Sequence, residues 1–119
     1  MNFDTYGVHV FLDGHGIKAD LLDNINHLKQ ICKFAIAKSN ATFVSAQEKK
    51  FDPQGCTLLF LLEESHMSIH TYPEHGYASI DMFTCGSHTR PDLAIDYLIE
   101  CLKPDPDRTY RQTLIRGVE

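Results

Sequence analysis

No stretch of this chain approaches the roughly 20 apolar residues that a bilayer-spanning helix requires. The opening residues Met1-Asn2-Phe3-Asp4 have neither the basic patch nor the apolar run of an export signal, so residence in the cytoplasm is the expectation. Basic residues are in the minority, with 11 Lys and Arg against 16 Asp and Glu and a net charge of −5. Nucleic-acid binding rests on clustered bases that neutralise phosphates, so that class is disfavoured. A small cationic substrate is compatible with the acidic excess. The four cysteines, Cys32, Cys56, Cys85 and Cys101, form no C-x-x-C pair, which argues against a zinc knuckle or a thioredoxin-type motif. Repeats, low-complexity segments and linkers are absent as well. What remains is one domain spanning residues 1–119, with 43% hydrophobic and 23% charged residues.

Val8, Val10 and Leu12 alternate with other residues and predict a strand over 6–13. Apolar residues at three- and four-residue steps from Leu21 to Ile36 predict an amphipathic helix over 19–38. Extended structure follows over 41–51, and Pro53-Gln54-Gly55 makes a turn. The unbroken apolar run Cys56–Leu62 has strand length and suggests a central place in a sheet. Residues 65–72 and 77–85 read as two strands joined by Pro73-Glu74-His75-Gly76. Pro91 opens a second helix, Pro104 and Pro106 end it, and 109–115 can form a last strand. The order βαββββαβ implies an α+β two-layer sandwich, an antiparallel sheet with two helices on one face. The other face needs a cover. A second copy of the chain would supply it, so a homodimer with sheets facing each other is expected.

Chemistry is concentrated in the stretch from Glu63 to Tyr77, where carboxylates, hydroxyls and imidazoles follow directly on the most apolar run. Partly buried titratable groups are costly unless paired, so such density suggests a site. Three classes can be weighed. On a strand, His66 and His70 lie about 13 Å apart and cannot share a metal whose ligands sit about 2 Å from one point; no metal is expected. Neither Ser65 nor Ser68 lies in a G-x-S-x-G elbow, which disfavours a serine hydrolase. The third class is self-processing: a serine hydroxyl attacks the preceding carbonyl, and β-elimination then leaves a pyruvoyl group and ammonia. This requires a base and an oxyanion donor but no external cofactor.

The segment Glu64-Ser65-His66-x-Ser68-Ile69-His70-Thr71-x-Pro73-Glu74-x-Gly76-Tyr77-Ala78-x-Ile80-Asp81-x-Phe83-Thr84-Cys85-Gly86 resembles the signature of the prokaryotic S-adenosylmethionine decarboxylases. The similarity extends from about Gly7 to the region of Arg116. It implies cleavage between Glu64 and Ser65 into a β chain (1–64) and an α chain (65–119), with Ser65 becoming the covalent pyruvoyl cofactor. By the same resemblance, His70 takes a proton during processing and Cys85 protonates the substrate carbon after carbon dioxide leaves. Phe51 stacks on adenine, Glu74 binds the ribose hydroxyls, and Thr57 stands where the family has a processing serine. The implied cycle joins the substrate amine to the pyruvoyl carbonyl as a Schiff base. It yields the decarboxylated aminopropyl donor of spermidine synthesis, a step in polyamine biosynthesis.

Counting along the hairpin places Ser65 across from Thr84 and Cys85, whereas His70 falls on the opposite face, about 16 Å away. His70 is therefore expected to act across the dimer, bringing Phe51, Thr57 and Glu74 with it. Cys56-Thr57-Leu58 departs from the usual Val-Ser-Gly, and Leu58 is expected to add bulk beside the site. Asp52, next to Phe51, could pair with a terminal cation. L-ornithine or L-arginine thus remains an alternative substrate, and an inactive regulatory partner subunit is a second alternative.

Overall fold

The computed structural model describes residues 5–118; the residues read above for an export signal lie outside that range. Six strands form one sheet: β1 (Gly7–Gly14), β2 (Phe43–Lys50), β3 (Cys56–Leu62), β4 (Ser65–Tyr72), β5 (Tyr77–Cys85) and β6 (Thr109–Arg116). Their order across the sheet is β2-β3-β4-β5-β1-β6, every neighbour antiparallel. The helices α1 (Ala19–Leu22), α2 (Ile25–Lys38) and α3 (Pro91–Leu102) bury Leu28, Ile31, Ile95 and Leu98 in one core with Val10, Phe60, Met67, Ile69 and Met82 of the sheet. This is the expected α+β architecture.

Local chemistry explains where the elements break. The helix expected over 19–38 is split at Asp23-Asn24, and both residues are diverted from helix formation. Asn24 caps α2 by accepting from the His27 backbone N–H at 3.1 Å. Asp23 accepts from Lys50 Nζ at 2.6 Å and from the Gly55 N–H at 2.9 Å. The lysine hydrogen bond, followed by that from Gly55, holds the Asp23 carboxyl below the usual carboxylate range. Asp23 thereby ties the helical layer to the 51–55 turn. Pro91 starts α3, and Lys103 ends it in the left-handed conformation (φ 51°), just before Pro104.

The apolar run Cys56–Leu62 is not central: β3 lies second from the β2 edge. Its burial alternates, with Cys56, Leu58, Phe60 and Leu62 buried under the helices while Leu59 and Leu61 are 47% and 54% exposed on the opposite face. The run is unbroken because both sheet faces carry apolar residues there. Phe11 and Leu114 are further large apolar groups on that open face. Leu58, expected beside the site, instead points into the core and is fully buried. Its substitution by Ala therefore creates a core cavity and lowers stability by about 2–5 kcal/mol. Urea unfolding should show that loss while substrate KM stays unchanged, and a KM change without a stability loss would put Leu58 back in the site.

Candidate active site

The β4–β5 hairpin has the counted register: Ser65 faces Thr84, and Tyr72 faces Tyr77. Pro73–His75 form a single 3-10 turn closed by Gly76 at φ 61°, a conformation that glycine adopts without strain. Because side chains alternate along β5, Ala78, Ile80, Met82 and Thr84 are buried, while Ser79, Asp81, Phe83 and Cys85 lie on the open face. The thiols divide the same way. Cys32 is fully buried and its thiol is pushed up by burial, whereas Cys85 is half-exposed and Cys101 sits at the core margin.

Two clusters contain the predicted residues, one at each end of the hairpin. At the first, the Cys85 backbone N–H donates to the Glu64 carbonyl at 3.0 Å, the carbonyl that Ser65 would attack. The Glu64 carboxylate accepts from the Thr42 N–H at 2.9 Å and lies 2.9 Å from His88 Nε2. Burial alone would raise the Glu64 carboxyl, but hydrogen bonds from His88 and Thr42 outweigh it and hold the group below its ordinary range. Ser65 Oγ lies 3.4 Å from His66 Nδ1.

At the other end, Phe51, Thr57, His70 and Glu74 line a single cavity of about 470 Å³, together with Asp52. Thr57 Oγ1 and His70 Nδ1 share a hydrogen bond of 3.0 Å, a consequence of the β3–β4 register that sets these residues opposite each other. Phe51 reaches the cavity through the 51–55 turn, which the Phe51 N–H closes on the Gly55 carbonyl at 2.8 Å. Gly55 is required there: a Cβ would sit 2.8 Å from the Thr71 carbonyl. The structure thus brings His70, Thr57, Phe51 and Glu74 together and keeps them apart from Ser65, Glu64 and Cys85.

A third group escaped the sequence reading. His9 Nε2 lies 2.6 Å from Asp81 Oδ2, His66 Nε2 is 3.6 Å from the same oxygen, and Ser68 Oγ donates to Asp81 Oδ1. Arg116 Nη1 reaches His9 Nδ1 at 3.3 Å. The β4–β5 register sets Ser68 opposite Asp81, but His9 and Arg116 join them only through the pairing of β1 with β5 and β6, which no local motif signals. His88 and Thr42 were likewise invisible, since they meet Glu64 from separate loops.

Residues 8–117 match the profile of the S-adenosylmethionine decarboxylase family. An S-adenosylmethionine decarboxylase proenzyme of Brevibacillus brevis is 48% identical over 118 residues, covering 99% of this chain and 87% of that one. S-adenosylmethionine decarboxylase proenzyme 2 of Bacillus cereus is 42% identical, covering 99% and 94%. The crystal structure of the adenosylmethionine decarboxylase from Aquifex aeolicus superposes with a TM-score of 0.89 at 37% identity, covering 98% of this chain and 94% of that one. The fold is the α+β scaffold of that adenosylmethionine decarboxylase structure. The chain belongs to the S-adenosylmethionine decarboxylase family.

Burial would raise the Asp81 carboxyl, but hydrogen bonds from Ser68 and His9, with the charges of His9 and His66, hold it below its ordinary value. A carboxyl depressed on folding contributes stability that is complete above its unfolded value of about 3.9 and is lost as pH falls through the folded value. Asp81→Asn should therefore flatten the acid limb of the stability curve below about pH 4. Urea unfolding across pH reads this, and an unchanged limb contradicts it.

Proposed function

We propose that this chain is a self-processing, pyruvoyl-dependent decarboxylase that converts S-adenosylmethionine to the aminopropyl donor used in spermidine synthesis. The observation that carries the proposal is the Glu64–Ser65 bond, whose carbonyl already accepts the Cys85 N–H while its acyl side chain is held by Thr42 and His88. Cleavage there separates 1–64 from 65–119, two segments of a single domain. The residues fit the group that would form. Ser65 stays paired with Thr84 and Leu62 in the sheet, and Glu64 stays clamped on the other side of the cut.

The pyruvoyl group supplies a ketone that withdraws electrons as the substrate carboxylate departs. The chain's own residues do the rest. Cys85, half-exposed on the open face, returns a proton to the substrate carbon. Phe51 offers its ring to adenine, and Glu74 accepts from the ribose hydroxyls in the same cavity. His70, hydrogen-bonded to Thr57, removes the Ser65 Cα proton that drives elimination. No metal is needed for any of these steps.

His70 cannot reach Ser65 of its own strand, because five residues of extended chain separate them by about 16 Å. A homodimer with sheets face to face resolves this by joining Ser65 and Cys85 of one protomer to His70, Thr57, Phe51 and Glu74 of the other. The exposed Phe11, Leu59, Leu61 and Leu114 give that interface its apolar component. Among the described residues no helix is long and apolar enough to cross a membrane, and the enzyme is proposed to work in the cytoplasm on a small molecule.

The relatives' S-adenosylmethionine decarboxylase names favour that substrate over L-ornithine or L-arginine, although Asp52 does line the cavity. The presence of Ser65, His70 and Cys85 together argues against an inactive regulatory subunit. Carbon dioxide release measured in parallel from S-adenosylmethionine, L-ornithine and L-arginine should occur with the first alone. Release from an amino acid alone would reassign the pocket. Glu74→Gln should raise KM about tenfold or more, the effect of losing a charged hydrogen bond. Chains carrying Ser65→Ala mixed with chains carrying His70→Ala should restore processing of the latter. Absence of processing in every mixed dimer would rule out action across the interface.

A further inference from the structure

We infer that His66 of the same chain, oriented by Asp81, is the base that activates Ser65 for the first step of self-cleavage; the inference rests on the self-processing reading above. Elimination needs a base at the Ser65 Cα, but an earlier step needs one at the Ser65 hydroxyl. The imidazole that meets this hydroxyl is His66, with Nδ1 at 3.4 Å from Oγ. That distance is at the long end of a hydrogen bond, as is common before the reacting geometry tightens.

The groups behind His66 set its proton. Arg116 can only donate, so its contact with Nδ1 makes that nitrogen of His9 the acceptor and leaves the His9 proton on Nε2. His9 Nε2–H then donates to Asp81 Oδ2 at 2.6 Å, and the Ser68 hydroxyl donates to Oδ1. Asp81 is thereby fixed as a carboxylate, 3.6 Å from His66 Nε2. Of the two neutral tautomers of His66, a carboxylate there favours the one with its proton on Nε2. Nδ1 is left free to accept from Ser65. The His66 ring is also packed edge-on to His9 and against Phe83, which limits its rotation. Hydroxyl, imidazole and carboxylate stand in the order that makes a serine nucleophilic.

The step balances within the chain. The Ser65 Oγ proton moves to His66 Nδ1 as the oxygen attacks the Glu64 carbonyl carbon. The carbonyl electron pair moves onto oxygen, where the Cys85 N–H already donates at 3.0 Å. Collapse breaks the Glu64–Ser65 C–N bond, and the departing nitrogen takes the proton back from His66. An ester and a free amine result, with no water or co-reactant consumed. Thr42 and His88 keep the Glu64 acyl group in place throughout. Asp81 and His9 act through His66 and are positioning residues.

The test follows full-length chains made by in vitro synthesis, with their cleavage read on gels. Chelator is present throughout, because His9, His66 and Asp81 each offer a ligand atom within 4.8 Å of one another. Hydroxylamine, which cleaves the ester but not the amide, marks how far each chain has gone. His66→Ala and His66→Gln should slow cleavage by about 100-fold or more, leave chains that hydroxylamine does not cut, and regain cleavage when imidazole is added to the Ala variant. His70→Ala should instead stall as a hydroxylamine-sensitive chain. Asp81→Asn, equal in shape, should lose rate that Asp81→Glu partly restores. Wild-type cleavage rates in both His66 variants, or hydroxylamine-sensitive stalling in either, would overturn the assignment. If the unsubstituted chain never yields a fragment beginning at residue 65, the self-processing reading itself has failed, a separate result.

Discussion

The constraint on which this site depends is the two-residue alternation of a β-strand in a fixed hairpin register. Ser65 faces Thr84, so the Cys85 amide meets the Glu64 carbonyl and the Cys85 side chain turns to the open face. A one-residue slip would invert β5, burying Asp81 and Cys85 beneath the helices and exposing Met82 and Ile80. The buried set Ala78, Ile80, Met82 and Thr84 therefore fixes the chemistry as firmly as any catalytic side chain. The same alternation separates His70 from Ser65 and makes the pocket residues a property of the opposite end of the sheet.

The open face has a mixed character, with apolar and polar groups side by side. Leu59, Leu61 and Leu114 are exposed apolar groups of the kind that mark an interaction surface. Between them lies the Asp81 cluster, in which the carboxylate accepts from Ser68 and His9 with His66 3.6 Å away, and Arg116 meets His9. Covering that face would cost little in unmet hydrogen bonds, because the cluster is already satisfied. In the homodimer proposed above, a second copy of the chain would cover the exposed apolar area and supply the other half of the pocket.

Much of this was legible along the chain. Pro73 to Gly76 marked the hairpin turn, and its centre gave the Ser65–Thr84 pairing by counting. Pro91 and Pro104 bracketed the second helix. The break at Asp23-Asn24 was hidden, since neither residue interrupts the apolar spacing. It arises from the Asn24 cap on His27 together with the distant partners of Asp23, Lys50 and Gly55. The run Cys56–Leu62 looked central because Leu59 and Leu61 are apolar on a face with no cover in a single chain. His9 and Arg116 carried no local signal: their meeting with Asp81 requires β1 to lie between β5 and β6.

The chemistry proposed above begins when the chain cuts itself between Glu64 and Ser65. The most direct measurement is the intact mass of the purified protein under denaturing conditions. Self-cleavage should give two polypeptides, residues 1–64 and residues 65–119, the second lighter by one ammonia than a hydrolytic fragment and refractory to N-terminal sequencing. A single uncleaved chain, or a second fragment with an ordinary serine amino terminus, would contradict it.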